Sequence, residues 1–279
     1  MSYKTILVSL NDLGRNQAVL ESAAGMARAF DAHLQGIYVI PAIEVCAGIG
    51  FEPIIFEGNR ELFANSEKSV RAEFDKARLD NGIRGDITVI DSTSPDITGR
   101  VIDCARRADI AIVSQPPDET SLSVVGRSFV ERILLSTGRP TLVLPRNGRT
   151  SLAADLVVMG WSGTREATRA AFDSVPLLQR AKKVEIVWVD PEKEYPHPGS
   201  SPGSELAAAL SRHGVNAEIE PVSTGGREAG ETLLTVVADS AAELLVMGAY
   251  GHSRLSEMVL GGATKSVLKG MKCPVFFSH

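Results

Sequence analysis

The sequence predicts two successive α/β domains, each a parallel sheet covered by helices on both faces. Three observations carry this reading. Short apolar, β-branched runs alternate with longer Ala-rich segments of helical period. The strand-like runs are continuously apolar, as strands buried on both faces require. The whole pattern then restarts near residue 150.

In chain order, residues 4–10 read as a buried strand. A helix follows over 17–30, with Val19, Leu20, Ala23, Ala24, Met26 and Ala27 on one face, and 33–40 is a strand again. Further strands are predicted near 84–90, 109–114 and 140–145. The polar, turn-rich stretch 146–151 is the linker, which gives domains over 1–147 and 148–279. The second half repeats the order, with strands near 154–161, 183–190, 215–222, 243–248 and 273–278 and a helix over 164–179. A shift of 134 residues lays 107–113 on 241–247 and Pro140 on Pro274, each proline opening a terminal strand. A repeat in register over that length identifies two homologous domains. Right-handed crossovers make each a doubly wound sheet, with a crevice at the carboxyl ends of its first and fourth strands. The segment 41–59 is long and apolar for a connection and suggests a flap or a subunit contact. Its counterpart 191–203 is polar and reads as a surface loop.

Composition narrows the function. The 279 residues are 44% hydrophobic and 23% charged, ordinary for a folded soluble chain. Lys+Arg is 29 against Asp+Glu 34, a net charge of −5. That field does not gather nucleic acid or an anionic membrane, so any bound anion must be held by local geometry. The apolar run at 6–10 is too short for a signal peptide, and no stretch approaches the ~20 apolar residues of a membrane span. Cys46, Cys104 and Cys273 form no Cys-x-x-Cys pair and read as core or loop residues in a reducing cytoplasm. The five histidines form no i,i+4 pair, so no metal site is expected.

The informative segment is 246–268. A strand ends at Met247, Gly248 and Gly251 open a loop, and Gly261-Gly262 leads into a helix starting near Ala263-Thr264. Glycines let successive backbone N–H groups turn toward one anion, and a helix N-terminus adds unpaired donors. Lys265-Ser266 is not a Walker A ending, because Thr264 and Val259 stand where that motif needs glycine. His252 and Ser253 are adjacent and lack a nucleophile elbow.

Gly248-x-x-Gly251, nine residues, Gly261, then a small residue and Thr264, resembles the phosphate-binding signature of the universal stress proteins. The two-fold layout resembles the tandem members of that family, and the resemblance spans nearly the whole chain. It implies five-stranded parallel sheets ordered 3-2-1-4-5, an adenine-nucleotide alpha-hydrolase-like fold, with pairing through the last strands. It also implies ATP or AMP binding, with Mg as a companion, weak hydrolysis at most and a role in stress resistance. Carried over by position, Met247 and Gly248 line the ribose side, and Gly251, Gly261, Gly262, Ala263 and Thr264 wrap the phosphates. Gly160, Trp161 and Ser162 meet the adenine, and Val189 contacts it through its backbone.

Two positions depart from the family pattern. Gly262 stands where Ser or Thr is usual, and Ser162 where Asp is frequent. Each lost hydrogen bond is worth roughly 0.5–1.5 kcal/mol, about tenfold in affinity. The first half departs further. The same shift puts Ser114 on Gly248, Pro117 on Gly251, Arg127 on Gly261, Ser128 on Gly262 and Val130 on Thr264. Pro116-Pro117 also removes two backbone donors. The expectation is a stress-response sensor or regulator with its nucleotide site in the second domain. The alternatives are a nucleotide-independent interaction module and a slow ATP hydrolase. Fusion of two copies implies an intramolecular pseudo-dimer, with a homodimer of chains as a further option.

Overall fold

The computed structural model describes residues 2–47, 53–56, 58–117, 128–190, 203–251 and 262–279. The chain divides into two compact units, Tyr3–Thr137 and Gly138–His279.

The first unit runs β1 (Thr5–Ser9), α1 (Asn16–Phe30), β2 (His33–Ile40), β3 (Glu44–Ala47), β4 (Pro53–Phe56) and α2 (Gly58–Asp80). It continues through β5 (Gly85–Asp91), α3 (Ile97–Ala105), β6 (Ile110–Ser114) and α4 (Phe129–Ser136). Its parallel sheet is ordered β5-β2-β1-β6. Ile6, Leu7 and Val8 of β1 are wholly buried, as a central strand covered on both faces must be. Asp109 ties the strand starts together by accepting from the amides of Lys4 at 2.7 Å and Thr5 at 2.9 Å.

Within the apolar segment 41–59, β3 and β4 pair antiparallel, Glu44 opposite Phe56 and Cys46 opposite Ile54. Arg60 anchors the entry to it, donating to the Pro41 carbonyl at 3.1 Å and clasping both oxygens of Asp91 at 2.8 and 3.1 Å.

The second unit runs β7 (Thr141–Leu144), β8 (Leu156–Trp161), α5 (Arg165–Asp173), α6 (Val175–Leu178), β9 (Lys183–Val189) and α7 (Ser204–Arg212). It ends with β10 (Ala217–Val222), α8 (Ala229–Asp239), β11 (Leu244–Gly248), α9 (Gly262–Gly270) and β12 (Val275–Ser278). Strands β10-β9-β8-β11-β12 are mutually parallel, which is the 3-2-1-4-5 order. Outer strand β10 carries Pro221, tolerated at an edge because no ladder bond is needed from its nitrogen. On the opposite side β7 joins β12 antiparallel, with Leu142 opposite Phe276 and Thr141 opposite Phe277. β7 therefore packs with the second unit, although it precedes the 146–151 stretch in the chain.

One helix differs from the sequence pattern. The periodicity over 164–179 predicts a single helix, whereas α5 ends at a cap on Ser174 and α6 begins a new short turn. Pro176 explains the break. It has no N–H to offer Phe172, and it suits the first turn of a fresh helix. The polar connection at 191–203 lies almost wholly outside the described residues.

Two expectations follow from this packing. Phe276 is fully buried between β11 and β7, so Phe276→Ala should cost about 3–5 kcal/mol in a urea unfolding curve. Cys273 is also buried, and burial pushes its thiol up to about 11. At neutral pH it stays protonated, and peptide mapping should find it alkylated by iodoacetamide only after denaturation.

Candidate functional site

In the second unit β8 and β11 lie side by side, Met247 opposite Gly160, and both feed loops at their carboxyl ends. This is the point where the strand order reverses, the place where open α/β sheets generally bind their ligands. Gly248 closes β11 against the first turn of α5. An ideal Cβ there would stand 2.5 Å from the Ala167 amide nitrogen and 2.6 Å from the Glu166 carbonyl carbon. Only glycine permits that approach.

The α5 turn is set by its own sequence. Thr164 is extended, and its Oγ1 accepts from the Ala167 amide at 3.3 Å as a helix N-cap. Ser162 Oγ lies 3.2 Å from the same Thr164 oxygen. Glu166 follows within the first turn, 7% exposed, where a carboxylate is favoured by the helix dipole. Its Oε1 takes the Arg165 guanidinium at 2.9 and 3.0 Å. Its Oε2 faces the Gly251 turn, 3.1 Å from the position a Cβ would occupy there, and Thr164 Oγ1 is equally close.

The loop after β11 is pinned from two sides. The Ala249 amide donates to the Ser278 carbonyl at 2.8 Å, and His279 Nδ1 lies 2.9 Å from the Ala249 carbonyl. Tyr250 follows with φ of +57°, a left-handed conformation rarely taken by a bulky residue. Its amide donates to Thr264 Oγ1 at 3.1 Å, and Thr264 is only 2% exposed. α9 is seated on α8 at Gly230, where an ideal Cβ would be 2.6 Å from the Ala263 carbonyl oxygen. Ser266 Oγ donates to Glu228 Oε2 at 3.0 Å across the same seam.

The structure thus brings Met247, Gly248 and Gly251 beside the Ser162–Glu166 turn, with Ala263 and Thr264 on the far side of Tyr250. Gly262 opens α9, and Gly261 lies outside the described residues, as do His252 and Ser253. Trp161 turns its edge to Trp188, ring centres 6.3 Å apart and planes at 88°. Val189 ends β9, one strand beyond β8 and on the side away from β11. Lys265 is exposed on α9. Glu166, Thr164 and Glu228 were not singled out by sequence. The signal for Thr164 and Glu166 was a cap-like Thr with an acid in the first turn, but nothing local tells which loop that turn will face.

The first unit is built differently at the matching place. Ile6 pairs with Ile110, and Val157 with Leu244, which stands 134 residues after Ile110. Ile6 therefore corresponds to Val157, and Asn11 to Ser162. Ser9 pairs with Ile37 and Gly160 with Val187, so Val39 corresponds to Val189. At Val39 the backbone is already taken. Asn11 Nδ2 donates to its carbonyl at 2.7 Å, and its amide donates to Asn11 Oδ1 at 3.0 Å.

Among the described residues no three His, Cys, Asp or Glu side chains gather as metal ligands, and no helix is long and apolar enough to cross a membrane.

Fold and loop together define a doubly wound α/β protein whose Gly248–Gly251 turn lies at its switch point against the head of α5. Residues 178–279 match the model of the Universal stress protein family. Over 184 residues the chain is 28% identical to the universal stress protein Slr1230 of Synechocystis sp.. That alignment covers 64% of this chain and 62% of the relative, so it spans less than two thirds of the relative's length. Among solved structures, a universal stress protein from Archaeoglobus fulgidus DSM 4304 superposes with a TM-score of 0.73 at 16% identity, covering 98% of this chain and 95% of that one. A protein of Pseudomonas aeruginosa PAO1 described as functionally unknown, PA1789, gives 0.58 at 12% identity, covering 99% and 92%. At such identities the structural likeness shows the fold. The family model thus matches the second unit over 178–279, and the relatives share the fold of the chain.

The strained loop gives a direct test. Thr264→Val keeps the side-chain shape but removes the acceptor of the Tyr250 amide. Stability should fall by about 1–3 kcal/mol in urea, with faster hydrogen exchange at Tyr250.

Proposed function

We propose that this chain is a stress-response protein that binds an adenine nucleotide, ATP or AMP, in its second domain and acts as a sensor or regulator rather than a fast enzyme. The observation that carries this reading is the turn after β11. Gly248 allows it to approach α5, and Thr264 at the head of α9 pins it at Tyr250. Backbone N–H groups and a helix N-terminus beside such a turn are the donors an acidic protein has for a phosphate. Gly251, Gly261, Gly262, Ala263 and Thr264 are the proposed phosphate ring, with Met247 and Gly248 on the ribose side. Gly160, Trp161, Ser162 and Val189 are proposed for the base. The domains are taken as 1–147 and 148–279, and the setting as cytoplasmic.

The pairing of Asn11 with Val39 supports a single site per chain, since the first unit already satisfies the backbone groups that correspond to the proposed base contact. The same observation favours a second reading for that unit, as an interaction module that needs no nucleotide.

Mass spectrometry of gently purified protein should show a co-purifying adenine nucleotide. Calorimetric titration with ATP and AMP at millimolar levels should give one site per chain. Gly251→Val, which drives a branched side chain toward Glu166 and Thr164, should weaken binding by about tenfold or more. Absence of binding by the unaltered protein sinks the reading.

A further inference from the structure

In the first unit, polar atoms at the head of α1 are buried without the partners that buried polar atoms normally have. Asn16 opens α1 and is only 1% exposed. Among the described residues neither its Oδ1 nor its Nδ2 has a hydrogen-bond partner, and the buried Ser114 Oγ has none either. Asn16 starts the helix that follows β1, Ser114 ends the neighbouring strand β6, and α1 packs on both strands. Helical side chains lean toward the N-terminus, which carries the Asn16 amide back over the carboxyl ends of these strands. Counting on from the correspondence of Ile6 with Val157, Arg15 and Asn16 match Glu166 and Ala167, the residues that a Cβ on Gly248 would meet. Ser114 holds the Gly248 position and carries that Cβ, so its hydroxyl is directed at the head of α1.

The helix head is itself open. Among the described residues no side chain caps α1, and its first turn carries no acid, whereas α5 has Thr164 and Glu166. The first internal bond runs from the Val19 amide to the Arg15 carbonyl, leaving the amides of residues 16–18 without an acceptor inside the helix. Arg15 adds a guanidinium at the cap position. These donors call for an anion. Asn16 also offers an acceptor, Oδ1, which calls for a ligand that donates as well. Sulfate and carboxylates have no hydrogen to give at neutral pH. Hydrogen phosphate has accepting oxygens and one hydroxyl.

We propose that the head of α1 binds inorganic hydrogen phosphate. Its oxygens accept from Asn16 Nδ2, Ser114 Oγ and the first-turn amides, and its hydroxyl donates to Asn16 Oδ1. The site uses none of the glycine signature and takes no base, because Asn11 already occupies the Val39 backbone. It stands or falls apart from nucleotide binding in the second unit.

The test is calorimetric titration of the full chain with inorganic phosphate, sulfate and AMP, at fixed ionic strength. Phosphate should bind the unaltered protein and Gly251→Val alike. Asn16→Asp keeps the shape but exchanges a donor for a negative charge, and should weaken phosphate by about tenfold or more. Ser114→Ala should weaken it by less. In the Gly251→Val background sulfate should bind about tenfold more weakly than phosphate, and added AMP should leave the phosphate isotherm unchanged. Unchanged phosphate affinity in Asn16→Asp overturns the proposal, as does absence of phosphate binding. Binding lost in Gly251→Val but kept in Asn16→Asp overturns it by moving the anion to the second unit. Sulfate binding as tightly as phosphate overturns the hydrogen-phosphate assignment, and displacement by AMP overturns it in favour of a nucleotide phosphate. Thermal unfolding checks that the variants fold, and Ser114→Ala carries the test if Asn16→Asp does not.

Discussion

The second unit depends on one close approach, the backbone of Gly248 against the first turn of α5. That contact fixes where β11 ends relative to β8, and so the width of the gap between their loops. It also lays Glu166 across the turn that follows. Hydrogen bonds from Ala249 to Ser278 and from Tyr250 to Thr264 then hold the turn to β12 and α9. The positive φ of Tyr250 is tolerated because these partners over-determine it.

Much of this architecture was legible in the sequence. Strands such as 33–40 and 183–190 are marked by their apolar runs, and the shift of 134 residues predicts that the strand order of the first half recurs in the second. Gly248, Gly251 and Thr264 stand out by spacing because a backbone that must approach a helix or ligand leaves a glycine signature. What stayed hidden depends on long-range geometry. The Asn11 amide reaches β2, 28 residues away, and no local pattern announces that. Glu166 looks like any first-turn acid until the fold brings it against β11. Pro176 was visible, yet the helical period over 164–179 hid the break that it imposes.

The two units place different residues at matching positions of the sheet. Ser114 puts a side chain where Gly248 has none, and Asn11 occupies backbone groups that the second unit does not fill with a side chain from Ser162. Both changes leave strand pairing intact, because β1, β2 and β6 keep the register of β8, β9 and β11. Changes at strand ends alter the switch point, while the buried strand centres carry the fold.

The antiparallel seat of β7 on β12 bears on how the gene can be cut. Expression of the second half alone, started after the 146–151 linker, would omit Thr141–Leu144. Such a fragment would present the bare rim of β12, with its Phe276 and Phe277, to solvent. Unpaired strand rims recruit other chains. The severed half would be prone to pair with itself, so a fragment of the second unit has to begin upstream of Thr141 to remain self-contained.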